Sequence, residues 1–385
     1  MQTSSPALMA HHSSPFQVEW KDGRAVRIRL RRTSNFHAHL RKGAIMRAVA
    51  KAIMAHVRYL VVMPNTGPII SIDDAEQYHS DLMMLARQYG YSQLKLLMTI
   101  YHTAATTPRM IEAIAKSSIV WAVKHYPPEP GVTTDSGHGI PLEESDEMLR
   151  AMIDHNVPLL GHFESVRDKH GRLLDPLEGE AYYVKEHLWP LRDKYFGRLR
   201  ICFEHATTKE AIDFVEADFS GNTVLTATPH QALCTHDDHK CSWGNHLKCK
   251  PRAQTPDNRA AVLEFITSGD ERAIAGDDTA AHLASTKLNF ETAANGCFWT
   301  SHGIAAYARA FEDAGRLNQG FEKFMSLNGP RWWGLKPPTD TITLRRETVH
   351  DIPDPIPVPE ESDEVIPLGW TTEPDRLRIG FVVEE

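Results

Sequence analysis

Eight short runs along the chain read as strands: AVRIRLRR, YLVVMPN, KLLMTIYH, IVWAVKHY, VPLLGHFE, LRICFEHA, NTVLTATPH and RAIAGDDT. Between most of them lie longer stretches with apolar residues at 3.6-residue spacing, among them AIMRAVAKAIMAH, DDAEQYHSDLMMLARQYG, EESDEMLRAMIDHN and TKEAIDFVEADF. Near-continuous apolar runs fit strands buried on both faces, and the 3.6 spacing fits helices with one apolar side. Strand and helix alternate, which predicts a parallel sheet, and about eight such units predict an α/β fold closed into a (β/α)8 TIM-type barrel; a doubly wound open sheet is the alternative. The polar positions favour the barrel. Nearly every run ends in His, Lys, Asn, Glu or Asp at its C-terminal end, the face where barrels gather their functional side chains.

The two ends depart from this alternation. Residues 1–20 are expected to form a loosely ordered arm, 21–335 the barrel, and 336–385 an extension packed on it. The last stretch holds 8 of the 24 prolines, and the alternating prolines of DIPDPIPVPEE exclude helix and central strand. Within it, TITLRRE and LRIGFVVEE fit edge strands. A length of 385 residues suits one large α/β domain with such extensions. The net charge of −8 excludes a general polyanion-binding surface, so nucleic acid is not an expected partner and any anion recognition is local. The five cysteines, Cys202, Cys234, Cys241, Cys249 and Cys297, are odd in number and sparse, which fits a reducing compartment better than a disulfide scaffold. No run approaches the ~20 apolar residues that cross a bilayer, and MQTSSPALMAHHSSPF lacks a basic segment followed by a continuous apolar one. A soluble, cytoplasmic protein acting on a small molecule, with no membrane partner, is expected.

Candidate chemistry concentrates at the strand ends. In SNFHAHLRKG, His37, His39 and Arg41 alternate, and alternate side chains of an extended segment share a face. Such a face fits an anion, a metal, or both. Lys124 closes IVWAVK, His162 closes VPLLGH, His205 closes RICFEH, and Asp278 lies in AIAGDD. Imidazoles and a carboxylate brought to one mouth can hold a divalent transition metal, with zinc the usual choice for nitrogen and oxygen donors. A protonated lysine cannot ligate, but addition of CO2 to its neutral amine gives a carbamate whose two oxygens can bridge two metals. Each residue alone also has a plain structural reading, His as a core group and Lys124 as a salt-bridge partner. Independent structural roles do not place such a group at the end of so many separate strands.

The segments NFHAHLR, VVMPNTGPI, AVKHYP, GVTTDSGHG, LLGHFE, FEHATTKEA, ATPHQAL, GDDTAAH, GCF and SLNGPRWWGL follow one another in order. From about residue 33 to 336 they resemble the signature segments of class II dihydroorotases, within the amidohydrolase superfamily. The resemblance implies a (β/α)8 barrel with two zinc ions at its C-terminal mouth, bridged by a carboxylated lysine and a hydroxide. It matches His37, His39 and Asp278 to the ligands of one ion, His162 and His205 to those of the other, and Lys124 to the N6-carboxylysine bridge. Asp278 is chosen over Asp277 by the G-x-D-x-x-x-H spacing to His282. The implied reaction is the reversible closure of N-carbamoyl-L-aspartate to L-dihydroorotate and water in de novo pyrimidine synthesis. In it the hydroxide is the nucleophile, one zinc polarises the ring carbonyl, and Asp278 is the acid/base. Arg41, Asn65 and His282 match groups that bind the substrate carboxylate. Thr133 and Thr134 match threonines of a loop, EPGVTTDSGHG, whose Gly and hydroxyl residues suit a moving lid. Homodimers are common in the family.

Some positions depart from the family pattern. Asn35 and Lys42 flank the H-x-H segment where acidic residues are frequent, Lys250 stands where leucine occurs, and Asn295 where alanine occurs. At the last two the family binds substrate largely through main-chain groups, and Lys250 adds a charge. The stretch CTHDDHKCSWGNHLKC holds Cys234, His236, His239, Cys241, His246 and Cys249, but its spacing does not match a paired structural zinc site. It is read as the long loop after the seventh strand, covering the substrate. Two other function classes stand beside the first: another metal-dependent cyclic amidase, and a non-catalytic barrel, against which every ligand position is filled.

Overall fold

Seven of the eight apolar runs become barrel strands, joined by one that the pattern concealed. In the computed structural model, which describes residues 14–133, 136–289 and 293–384, the barrel strands are β1 (Thr33–His39), β2 (Val57–Val62), β3 (Lys95–Tyr101), β4 (Val120–His125), β5 (Leu159–Gly161), β6 (Ile201–Phe203), β7 (Thr223–Ala227) and β8 (Ala273–Ala275). They pair in parallel in chain order from β1 to β8. Just past β8, Thr279 and Ala280 pair in parallel with Ala38 and His39, so the sheet returns to its first strand. The open doubly wound alternative is thereby excluded.

The expectation for the first run needs correction. AVRIRLRR supplies Arg24–Arg31, a strand of a separate four-stranded sheet, flanked by Gln17–Lys21 and Thr341–Arg346 with Phe381–Val383 beyond. Ile28 and Leu30 are buried there while Arg27 and Arg29 are exposed, the one-faced alternation of an antiparallel sheet rather than the two-faced burial of a barrel strand. The true first barrel strand, TSNFHAH, is buried at all seven positions, and its polar composition hid it. Because Gln17–Lys21 is already paired with Arg24–Arg31, no loose arm reaches residue 20; residues 1–13 lie outside the described residues. Thr341–Arg346 is an inner strand of this sheet, not an edge, since partners bond it on both sides; Phe381–Val383 is at the edge.

Packing divides into two layers. Inside the barrel, Phe36, Tyr59, Val61, Leu97, Ala122, Leu160, Cys202, Val224 and Ile274 converge, roughly one from each strand, with Trp333 stacked on Phe36. This plugs the centre, so the usable opening is at the strand ends. Outside, Val49, Ile53, Leu82, Ile111, Leu149, Phe214, Phe265 and Phe311 from the surrounding helices press on the sheet. Several helices start where a threonine precedes a proline. Thr107, Thr228 and Thr255 each accept a backbone N–H in the first turn, and Pro108, Pro229 and Pro256 follow as the first helical residue, where the missing N–H costs nothing.

Candidate metal centre and active site

The strand ends bring the expected residues to one place. His37 and His39 lie on β1 and Lys124 on β4; His162 follows β5 by one residue, His205 follows β6 by two, and Asp278 lies just past β8. His37 Nε2 is 3.2 Å from His39 Nε2 and 3.2 Å from Asp278 Oδ1, and His39 Nε2 is 3.0 Å from the same oxygen. His162 Nδ1 faces His205 Nε2 at 3.1 Å, and donor atoms of His37, His205 and Asp278 lie within 4.8 Å of one another. His205 and Asp278 hold left-handed backbones, with φ of 43° and 50°. Such non-glycine conformations cost of order 1–3 kcal/mol each and persist where the surroundings enforce them. The enforcing contacts are the His205 N–H to Thr226 Oγ1 (2.7 Å) and the Asp278 N–H to the His37 carbonyl (3.1 Å).

Two of the outward ring nitrogens have hydrogen-bond partners. His39 Nδ1 lies 2.6 Å from Asn65 Oδ1 and His162 Nε2 lies 3.1 Å from Glu164 Oε2, while His37 Nδ1 lies 3.2 Å from Glu204 Oε1 without hydrogen-bond geometry. A carboxylate or amide oxygen there keeps the proton on the outer nitrogen and leaves the inner lone pair free for a metal, the arrangement seen around histidine ligands generally. Burial lowers the pKa of all four imidazoles, that of His39 to about 4, so all four are neutral at pH 7. Burial pushes the Asp278 carboxyl up, but His37 and His39 outweigh it and hold the group well below the usual range. The donor set, four neutral imidazoles and an ionised carboxylate, fits zinc or a similar divalent ion. Lys124 is fully buried, its ammonium in contact with Glu204. Burial lowers its amine to about 7, while Asp278 pulls the other way.

Beside these donors is a cleft lined by Arg41, Asn65, Tyr126, Thr133, Lys250, Ala280, Asn295 and Gly296 together with the histidines and Asp278. Arg41 is not on the strand. β1 ends at His39, and Arg41 has φ of 59°, so the expected three-residue strand face is a histidine pair followed by a turn. The turn brings the guanidinium to the cleft, where Nε donates to the Ala281 carbonyl (2.8 Å) and Nη2 lies 2.8 Å from His282 Nε2. His282 is held neutral, at about 2, first by burial and then by Arg41; it supports Arg41 from behind. Gly296 is required at the rim, because a Cβ on it would stand 2.6 Å from the Ala280 Cβ and 3.0 Å from His282 Nε2. Lys250 reaches the cleft and pairs with Glu164 at 3.2 Å. Thr134 lies outside the described residues.

Sequence reasoning missed Glu164, Glu204 and Tyr126. The signal for the two acids was present: each sits within two residues of a ligand histidine, in GHFE and FEH. Removing the outer partner of a ligand histidine typically costs 10- to 100-fold in metal affinity or activity. Glu164→Gln is therefore expected to weaken metal retention about tenfold or more, read by competition with a coloured chelator; unchanged retention would remove Glu164 from this role. The six His and Cys residues between Cys234 and Cys249 do not converge as a group. Among the described residues the second set of converging donors is His230, Cys249 and Cys297.

No family model matches the chain. It is 33% identical over 346 residues to a dihydroorotase of Ruegeria pomeroyi, covering 89% of this chain and 97% of that one. It is 34% identical over 345 residues to a dihydroorotase of Synechocystis, covering 89% and 96%. Among solved structures, dihydroorotase of Saccharomyces cerevisiae in complex with 5-fluoroorotic acid superposes with a TM-score of 0.80 at 26% identity, covering 93% of this chain and 98% of that one.

Proposed function

Since the chain belongs to the dihydroorotase family, a family of metal-dependent cyclic amide hydrolases, we propose that it catalyses the interconversion of N-carbamoyl-L-aspartate and L-dihydroorotate at the mouth formed by His37, His39, Lys124, His162, His205 and Asp278. The observation that carries this reading is the convergence of His37, His205 and Asp278, with His39 and His162 against them, beside Arg41, a cation held at the edge of the same cleft. In this reading His37, His39 and Asp278 would hold one divalent ion and His162 and His205 a second, and Lys124, as its carbamate, would add oxygen donors to the set. When bound, such ions supply Lewis acidity and bring the pKa of water to about 7.

The remaining work falls to side chains of this chain. Arg41 and Asn65 bind the substrate carboxylate and set which carbonyl of the ring faces the donors, a charge-assisted contact of the kind that fixes orientation. Asp278 is ionised and can take a proton on its free carboxylate oxygen from the attacking water. It then returns that proton to the ring nitrogen as the amide bond breaks, and in ring closure the order is reversed. His282, neutral, keeps the Arg41 guanidinium aimed without adding a second charge. Asn295 and Lys250 bound the far side of the cleft, where Lys250 is tied to Glu164.

Carbamate formation on Lys124 requires the unprotonated amine, and burial to about 7 makes a substantial neutral fraction available at physiological pH. The unmodified amine contacts Glu204; a carbamate there would be an anion near a carboxyl group, and bound cations would offset its charge. The test is an assay of purified, zinc-supplemented protein in both directions, with metal analysis of the same sample. The reading expects turnover in both directions with transition metal bound; a preference for hydantoins or dihydrouracil over dihydroorotate would instead assign a different cyclic amidase.

A further inference from the structure

A second cluster of reactive groups lies beside the cleft and has no part in the chemistry above. Cys249 precedes Lys250, and Cys297 follows Gly296; both of those neighbours line the cleft. The two segments run side by side, joined by the Gly296 N–H to the Lys248 carbonyl (2.9 Å). Donor atoms of Cys249, Cys297 and His230 lie within 4.8 Å of one another, and all three residues are buried. The tautomer of His230 is set by its neighbour, since the Trp299 indole N–H donates to His230 Nδ1 at 3.1 Å. Nε2 therefore carries the imidazole proton and meets sulfur as a donor, which disfavours a metal and favours a thiolate.

Lys287 adds a charge. Its ammonium donates to the Lys248 carbonyl (2.7 Å) and the Ala294 carbonyl (2.8 Å), one on each segment, and its field reaches both sulfurs. The Pro251 carbonyl, 3.2 Å from Cys249 Sγ, is the one contact that favours the thiol. A cation and donors from His230 and Cys297 oppose it, so the pair shares one proton: Cys249 is held well below the usual thiol range by Cys297, and Cys297 is pushed well above it by burial. By contrast, burial pushes Cys202 up to about 12 and also raises Cys234 and Cys241.

We propose that Cys249 and Cys297 form a peroxide-oxidisable dithiol beside the cleft, with Cys249 the attacking sulfur and Cys297 the resolving one. The Cys249 sulfur attacks one oxygen of hydrogen peroxide, the O–O bond breaks, and a sulfenic acid forms as hydroxide leaves. The Cys297 sulfur then attacks that sulfenic sulfur, its proton departs with the hydroxyl as water, and an S–S bond closes. The two sulfurs lose two electrons and the peroxide gains them. Lys250 and Gly296, the sequence neighbours of the two cysteines, line the cleft, so the cleft is the proposed route of peroxide, and bound substrate is expected to protect the pair. The cross-link draws the 248–250 and 295–297 segments together, displacing Lys250 and Asn295 and weakening substrate capture.

The experiment treats zinc-loaded protein with hydrogen peroxide in steps, quenches with iodoacetamide, and maps the cysteines by peptide mass, with and without saturating N-carbamoyl-L-aspartate. The expected result is a Cys249–Cys297 cross-link that forms at least about tenfold faster than Cys202 or Cys234 is lost, slows with substrate present, and reverses with dithiothreitol. In Cys297→Ser the cross-link is absent and dimedone tags Cys249. Loss of Cys202 or Cys241 before Cys249, or a cross-link only after unfolding, would overturn the proposal. The substrate-protection arm rests on the functional reading above, whereas the cysteine map does not, so failure of one is separable from failure of the other.

Discussion

Asp278→Asn is expected to lose 100- to 10,000-fold in turnover, on the order of what a positioned acid/base contributes, while binding substrate nearly as well as the native protein. The reasoning is geometric. Asn keeps an oxygen where Asp278 Oδ1 stands, 3.0 Å from His39 Nε2 and 3.2 Å from His37 Nε2, so the donor set survives, but an amide cannot accept and return a proton at neutral pH. Arg41→Met should behave oppositely. Its guanidinium faces the substrate carboxylate in ground state and transition state alike, so its loss removes uniform binding: KM rises and kcat changes little. A hydrogen bond to a charged group is worth about 1.5–3 kcal/mol, which corresponds to a KM increase of roughly 10- to 150-fold. Steady-state kinetics of the two variants side by side decide the matter. Equal, modest losses in both kcat and KM would contradict the division of roles.

How far the sequence carries this account depends on what each residue does locally. The strand-end residues were legible because buried parallel strands read as apolar runs, and a polar residue closing such a run stands out. That located Lys124, His162, His205 and Asp278 to within three residues of the strand ends observed. β1 was concealed because Thr33, Ser34, Asn35, His37 and His39 fill five of its seven buried positions in place of aliphatic residues. The adjacent AVRIRLRR, more strand-like in composition, drew the assignment and belongs to the outer sheet. Arg41 was placed on the strand because alternation was extended two residues too far. A left-handed residue that is not glycine or asparagine leaves no compositional trace. Glu164 and Glu204 were overlooked for a different reason: an acid beside a histidine reads as an ordinary polar end, and only the fold shows that its carboxylate meets an imidazole. The Cys and His residues between Cys234 and Cys249 were set aside on their spacing, and the convergent group draws only Cys249 from that stretch, with His230 and Cys297 from outside it.

Lys124→Ala is expected to remove most activity and to destabilise the metal-free protein. Two effects combine. Lys124 and Glu204 are both fully buried and in contact, and breaking a buried ion pair by deleting one partner typically costs 3–5 kcal/mol, because the buried carboxyl of Glu204 loses its cationic partner. Activity falls separately, since alanine offers no oxygens between the two halves of the donor set. A short carboxylic acid in solution supplies two oxygens of the right kind and should restore part of the activity in the alanine variant, with no effect on the native protein. Chemical denaturation of the metal-free variant and a rescue titration with acetate or propionate measure the two effects. An alanine variant with undiminished turnover, or one as stable as the native chain, would show that Lys124 is neither bridge nor counter-ion.

In this reading activity depends on metal held by residues from four separate strand ends and by Lys124 from a fifth. The most direct test is zinc titration of chelator-treated protein in bicarbonate buffer, with turnover and bound metal recorded on the same samples. The account predicts that chelation abolishes turnover while the far-ultraviolet spectrum stays that of the folded barrel, and that activity returns with zinc and saturates near two ions per chain. Full turnover in protein shown by elemental analysis to carry no transition metal would contradict it.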